Sequence, residues 1–399
     1  MNMTTIFAID PIAIAAQSAR ATERSAAGEG PEFASRLRVG KKLELDALAA
    51  LFLSKEVSTD ELLEIARERR EASHGQGAVE TFSPLYLTNE CDGECLMCGM
   101  RRFNAELHRE TSDEDTSRRQ LEILYQRGMR GVALLTGEYR RGKQREEMMA
   151  KTRSALCHAL NQGFTHVLIN VGSLEVEDYD SLLLDLPRRG DGRLVQHLTM
   201  CTFQETYDPG VYARFMGSSD DNPRANFQRR LENFDRAVDA GMRSVNPGVL
   251  LGLNRDLPFE LIALAGHVQH LLDRGMTVYI SLPRLRKASG AEHRAGVSDD
   301  DLARIVSLLS VHFPEAKVVI STREAPEMQQ RLLPVIGVLT AGSPGVAPYD
   351  EANARFDIKA SQFEVSDQRP FEVILGDCLA RGAKNEGYEP VAQAHEQVG

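Results

Sequence analysis

From Phe82 onward the chain repeats one pattern: a short apolar run, then a longer stretch with apolar residues at helical spacing. The runs fall at Pro84–Thr88, Gly131–Thr136, His166–Val171, His197–Phe203, Ser244–Leu250, Thr277–Leu282, Lys317–Ser321 and Val335–Thr340. Such runs, bounded by glycine or polar residues, predict strands buried on both faces. Between them Arg118–Arg127, Lys143–Gln162, Phe227–Ala240, Pro258–Arg274, Asp299–His312 and Pro326–Leu333 predict amphipathic helices. Strand–helix alternation calls for an α/β fold with a parallel sheet. Eight units between residues 82 and 343 match the size of a full TIM-type (β/α)8 barrel. An open doubly wound sheet uses the same alternation, so periodicity leaves closure undecided. The polar residues favour the barrel. Cys91, Glu138, Ser173, Gln204, Arg286, Arg323 and Thr340 all stand just past strand ends, on the face where barrel active sites are built.

The barrel takes residues 81–345. Residues 41–80 predict a helical leader: Leu43, Leu45, Leu48 and Leu51 recur at helical spacing, and Ser58-Thr-Asp-Glu61 has the form of a capping box before Leu62, Leu63 and Ile65. Residues 1–40, rich in Ala, Ser, Gly and Arg without sustained period, are expected in part to be a mobile extension. Residues 346–399 form a C-terminal extension. It holds one further apolar piece, Phe363-Glu-Val365, expected to lie over a barrel mouth, and then turns polar.

Composition narrows the function classes. A net charge of −11 argues against wrapping a nucleic acid backbone and points to a small-molecule substrate. No apolar stretch approaches a membrane span, and Met1–Ala16 lacks the basic and apolar regions of a signal peptide. Six cysteines, three of them clustered, suit a reducing cytoplasm rather than a disulfide framework.

Those three carry the chemistry. Cys91, Cys95 and Cys98 stand at C-x3-C-x2-C spacing in one loop, and three thiolates this close can hold a soft metal centre. A structural zinc site wants four ligands, and no second cysteine pair exists to complete one. A [4Fe–4S] cluster on three cysteines leaves one iron open for a small molecule, and the spacing resembles the signature of radical S-adenosylmethionine (radical SAM) enzymes. Past the second strand, Gly137-Glu138 offers closely approachable backbone beside a carboxylate able to accept from an ammonium group. Alone, such a Glu is more often a solvated helix-start charge. Past the fifth strand, Gly248 and Gly252 leave backbone able to lie flat against a planar ring.

In order and spacing, the cluster loop, Thr136-Gly-Glu138, Phe203-Gln-Glu-Thr-Tyr207, Gly248–Leu253, Ser281–Arg286 and Gln362–Arg369 resemble the radical SAM aromatic amino acid lyases. The resemblance runs from about Leu43 to Val373. Within the family, the tryptophan-acting members (3-methyl-2-indolic acid synthases of thiopeptide antibiotic synthesis) are most alike. That likeness rests on Pro84–Asn89, Met97, Arg214–Gly217, Asn246–Val249, Thr322–Glu324 and Gly342–Tyr349. The chain departs from them in having Thr340 where they have serine, and in the loop Arg101–Asp113.

The resemblance implies a [4Fe–4S] cluster on Cys91, Cys95 and Cys98, with SAM held by Glu138, Ser173, Arg230 and Gly248. It implies a substrate carboxylate gripped by Arg323 and Thr340, with Tyr86 close by. Without it, Arg323 reads as a surface ion pair and Tyr86 and Thr340 as strand packing. His166, Cys157, Cys201 and Cys378 have no partners at ligand spacing and read as structural. The implied reaction cleaves SAM to a 5′-deoxyadenosyl radical, which takes hydrogen from the amino group of L-tryptophan. A bond at Cα breaks and the carboxyl fragment migrates to the indole, giving 3-methyl-2-indolic acid. An electron donor such as flavodoxin or ferredoxin is implied as partner. The alternatives are a tyrosine lyase giving dehydroglycine and p-cresol, a tRNA- or peptide-modifying radical SAM protein, and a non-catalytic iron–sulfur or zinc module. The hydrogenase-type tyrosine lyase needs a second cysteine cluster in its tail, which Cys378 alone does not supply.

Overall fold

The structure is a computed structural model that describes residues 6–184, 186, 188–189, 192–294, 296–350 and 354–391. All eight apolar runs form strands: β1 (Ser83–Tyr86), β2 (Gly131–Leu135), β3 (His166–Asn170), β4 (Leu198–Cys201), β5 (Ser244–Asn246), β6 (Thr277–Ser281), β7 (Lys317–Ser321) and β8 (Val338–Thr340). Each pairs in parallel with the next. Two short pieces extend the curled sheet to ten strands: Ala78–Glu80 pairs with β8, and Lys384–Glu386 pairs outside it.

The stretch Ala78–Tyr86 thus meets β8 near its start and β2 at its end, so the sheet returns to its own beginning. Few backbone pairs make this seam. Thr81 Oγ1 donates to the Leu339 carbonyl at 2.7 Å, Ser83 Oγ to that of Ala341 at 2.6 Å, and Tyr86 bridges to Val346. Hydroxyls complete the curl where the ladder is thin.

Alternation along the strands explains why the runs are apolar throughout. Phe82, Ala133, Leu168, Cys201, Tyr279, Val319 and Val338 fill the interior of the curl. Their neighbours, such as Val132, Leu134, Val167, Ile169, Val278 and Ile280, pack outward in the main core with the helices. His166 is structural. Its Nε2 lies 2.8 Å from Thr199 Oγ1 and its Nδ1 3.7 Å from Glu80, while burial pushes it down to about 4 and keeps it neutral.

The helices are α1 (Pro11–Ala26), α2 (Gly30–Arg38), α3 (Leu45–Leu53), α4 (Thr59–His74), α5 (Glu114–Gln126), α6 (Lys143–Gln162), α7 (Val176–Leu184), α8 (Pro209–Met216), α9 (Phe227–Leu231), α10 (Asn233–Asp239), α11 (Leu257–Asp273), α12 (Asp299–His312), α13 (Pro326–Leu332) and α14 (Phe371–Ala380). Ser58 caps α4 by accepting from the Glu61 amide at 3.1 Å. The helix expected over Phe227–Ala240 is two helices, α9 and α10, meeting at Glu232. No helix among the described residues is long and apolar enough to cross a membrane.

The expectation of a mobile N-terminal extension is corrected for residues 11–38, which form α1 and α2. Asp10 caps α1 by accepting from Ile12 and Ala13, and α1 packs on α3 and α11. Ser18 Oγ donates to Asp256 at 3.0 Å, and the Phe7 ring stacks on His267 at 4.2 Å. The buried positions of α1 are Ile14, Ser18 and Ala21, facing an α3 rich in buried alanines. Small side chains let helices approach closely but give a weak apolar signal, and the packing exists only against the rest of the fold. The tail is likewise more ordered than its polar composition suggests. Beyond Val365 it adds α14 and the strand piece Lys384–Glu386.

Candidate active site

The loop after β1 carries Cys91, Cys95 and Cys98, all free, with Cys95 buried and the other two half-buried. Two backbone N–H groups donate to Cys91 Sγ, Gly93 at 3.2 Å and Glu138 at 3.3 Å. Glycine at 137 is what allows this approach, since a Cβ there would lie 2.0 Å from the Glu90 carbonyl oxygen and 2.6 Å from Cys91 Cβ. Asn89 Nδ2 ties the loop to the His108 and Ala360 carbonyls, and the Arg109 guanidinium gathers those of Asn89, Met100 and Arg101. Burial pushes the Cys91 thiol up to about 11 and raises Cys95 and Cys98 too. A metal centre here would displace protons as it binds. Among the described residues no three His, Cys, Asp or Glu side chains converge on a single-ion position. Three thiols on one loop are the donor set of a cluster with one open iron, whereas a structural zinc site takes four ligands.

The loop forms one wall of a cavity at the C-terminal ends of the strands, with about 1570 Å³ of empty space counted out to its open mouth. On one side sits a charged network. Arg230 Nη1 donates to Glu138 Oε2 at 2.7 Å and its Nε to the Phe203 carbonyl at 2.7 Å. The Ser173 amide donates to the other Glu138 oxygen at 3.0 Å. Gly172, at φ +88°, has no room for a side chain against Glu138. Sequence reasoning missed two members. Arg224 Nη2 donates to Glu205 Oε1 at 2.7 Å, and Arg224 Nε lies 3.8 Å from Glu138. Glu205 occupies the left-handed region at φ 71°, rare for a residue with a side chain and a common mark of functional sites. Its place in the quoted Phe203–Tyr207 stretch was the available signal; Arg224 gave none.

Across the cavity, Arg323 follows β7 and Thr340 ends β8, where Ser321 and Thr340 are register partners. The Arg323 guanidinium lies 3.4 Å over the Phe363 ring and donates to the Arg284 carbonyl at 3.3 Å. Burial pushes it down to about 10, still charged at neutral pH. Among the described residues no carboxylate pairs with it. Tyr86 is buried, which raises its phenol, and donates to Gln362 Oε1 at 2.7 Å. Gln362, Phe363 and Val365 line the cavity, so the apolar piece of the tail reaches its wall. It is held there by the Gly99 amide on the Gln362 carbonyl (3.0 Å) and the Glu364 amide on that of Lys287 (2.8 Å).

Cys91, Cys95, Cys98, Glu138, Arg230, Tyr86, Arg323 and Thr340 therefore share one cavity. Two sequence expectations fall behind its wall. Ser173 backs Glu138, and its own hydroxyl is buried without a partner among the described residues. Gly248 is wedged between β4 and β6, where a Cβ would meet Phe203 at 2.7 Å and the Ser281 carbonyl at 2.8 Å. The close packing of these strands requires glycine at this position.

No family model matches the chain. It is 28% identical over 312 residues to the 2-iminoacetate synthase of Escherichia coli K12, covering 76% of each. It is 27% identical over 372 residues to that of Salmonella typhimurium LT2, covering 87% of this chain and 91% of the relative. The fold superposes on the FeFe-hydrogenase maturase HydG of Carboxydothermus hydrogenoformans with a TM-score of 0.80 and 24% identity, over 95% and 86% of the two chains. These likenesses support the radical SAM family that the cysteine spacing resembles. Radical SAM relatives use a [4Fe–4S] cluster and SAM, and this chain has features that fit both. Backbone donors face a cysteine sulfur, and a cation–carboxylate pair, whose charges match those of a zwitterionic amino acid, lines the same cavity.

Proposed function

We propose that this protein is a radical SAM carbon–carbon lyase that acts on a free aromatic amino acid, with tyrosine the favoured substrate. One observation carries the reading: a half-buried arginine, Arg323, without a carboxylate partner among the described residues, shares a cavity with the three-cysteine loop. A guanidinium offers a carboxylate two parallel bonds, and burial makes leaving it unsatisfied costly. Both bacterial relatives are 2-iminoacetate synthases, which supports tyrosine over the tryptophan that motif likeness suggests. Tryptophan remains the second reading, carried by Arg214–Gly217, Asn246–Val249 and Gly342–Tyr349.

When bound on Cys91, Cys95 and Cys98, the cluster with SAM supplies the one-electron cleavage that starts radical chemistry. The chain's residues hold and shield. Glu138 offers an acceptor for the SAM ammonium and Arg230 a donor for its carboxylate. The Arg323 fork and the Thr340 hydroxyl fix the substrate carboxylate, and neutral Tyr86 keeps a free lone pair beside them. Phe363 and Val365 keep water from the mouth. An electron donor of flavodoxin or ferredoxin type would supply the reducing equivalent.

The test is anaerobic turnover of reconstituted, reduced protein with SAM and each amino acid, after assaying iron and sulfide. p-Cresol from tyrosine supports the first reading, and 3-methyl-2-indolic acid from tryptophan the second. Neither product, with 5′-deoxyadenosine formation unaffected by either amino acid, sinks both.

A further inference from the structure

We propose that the Arg224–Glu205 pair sets the reduction potential of the cluster, with Arg224 easing reduction and Glu205 opposing it. The inference rests on the reading that Cys91, Cys95 and Cys98 hold an iron–sulfur cluster, and adds a role for two charges beside it.

Placement is the first argument. A Cβ built on Gly93, inside the cysteine loop, would lie 3.2 Å from both Arg224 Cδ and Cys91 Sγ. The arginine stem and the sulfur therefore flank the same point. The Arg224 side chain is 11% exposed, and so is that of Glu205, its ion-pair partner at 2.7 Å. In a site this dry such charges are weakly screened.

Rigidity is the second. The Arg224 amide donates to Asn222 Oδ1 at 3.1 Å, and its carbonyl accepts from the buried Tyr212 hydroxyl at 2.8 Å. Glu205 is fixed despite its left-handed backbone: its carbonyl accepts from the Leu250 amide at 2.9 Å and its side chain from Arg224 at 2.7 Å. A conformation of this kind persists only where its surroundings over-determine it. Arg224 also keeps a donor in reserve, since its Nε is buried with no hydrogen-bond partner among the described residues. Nearby charge and hydrogen bonding are the levers by which a protein tunes an iron–sulfur potential. One added electron is stabilised by a nearby cation and destabilised by a nearby anion.

The test uses anaerobically reconstituted full-length protein without SAM, so that cofactor binding does not enter. Potentiometric titration with dithionite and mediators is followed by the electron paramagnetic resonance of the reduced cluster. Arg224→Gln should shift the midpoint negative, lowering the reduced-to-oxidised ratio at the wild-type midpoint about tenfold, which is 59 mV for one electron. Glu205→Gln should shift it positive. Arg224→Lys should stay within about threefold of wild type, because the charge remains. Shifts of opposite sign are what a merely structural role would not give. Unchanged potentials, or a shift of both Gln variants in one direction, overturn the proposal. Should Arg224→Gln hold no iron, Glu205→Gln decides: a positive shift supports the proposal and an unshifted midpoint overturns it. A wild-type protein without iron and sulfide sinks the cluster reading and this inference with it, whereas a wild-type cluster with unshifted variants sinks this inference alone.

Discussion

Arg323→Lys is the sharpest perturbation of the proposed substrate site, because it keeps the charge and removes only the fork. The guanidinium sits 3.4 Å over Phe363 and spends one donor on the Arg284 carbonyl, leaving others free for the cavity. A lysine would hold a carboxylate by one charge-assisted bond instead of two. Losing one such bond costs about 1.5–3 kcal/mol, or roughly 10- to 150-fold in amino acid affinity. A carboxylate on one bond can also pivot, and a displacement of ~1 Å at a reacting centre lowers rate by ~100-fold. Arg323→Lys is therefore expected to cleave SAM while yielding much less aromatic product per cleavage event. The assay is the ratio of aromatic product to 5′-deoxyadenosine under anaerobic turnover, with the amino acid concentration that half-saturates product formation. A variant with wild-type ratio and wild-type half-saturation removes Arg323 from the substrate site, and with it the case for a free amino acid substrate.

Replacing Cys91, Cys95 or Cys98 by Ala is expected to abolish SAM cleavage and most bound iron, while Cys157→Ala and Cys378→Ala keep both; iron and sulfide assays decide. Thr340→Ser should leave turnover nearly unchanged because the hydroxyl remains, whereas Thr340→Val should weaken the carboxylate clamp; equal product ratios in the two variants would dismiss the hydroxyl. Burial pushes Glu260 up to about 7 against a usual 4.5, although Tyr207 N, Asn254 Nδ2 and Thr206 Oγ1 all donate to it. A raised folded-state value means its contribution to stability is full below about 4.5 and is lost as pH rises through 7, about 3 kcal/mol in all. The stability difference between wild type and Glu260→Gln, from urea unfolding at pH 5 and pH 8, should therefore move against wild type with rising pH. A difference independent of pH would refute the assignment.

What the sequence determined by itself was whatever depends on local order. Eight apolar runs became eight parallel strands because a strand buried on both faces must be apolar at every position. The cluster loop was legible because three cysteines at fixed spacing need no distant partner to be recognised. Ser58 capped its helix because a cap is decided within one turn. Closure, by contrast, depended on Thr81 and Ser83 reaching carbonyls 258 residues away. The placement of α1 depended on a face of Ile14, Ser18 and Ala21 that only α3 and α11 make meaningful. Within the site, motif likeness named Glu138, Arg230, Arg323 and Thr340, and the fold brought them into one cavity. It moved Gly248 and Ser173 behind the wall and added Glu205 and Arg224 to it. Those last two stand 19 residues apart, with β4 and β5 on either side of them. Their meeting is a long-range electrostatic fact, set by backbone that has no periodicity to read. Pattern reveals which residues share a face; only packing decides which charges share a cavity.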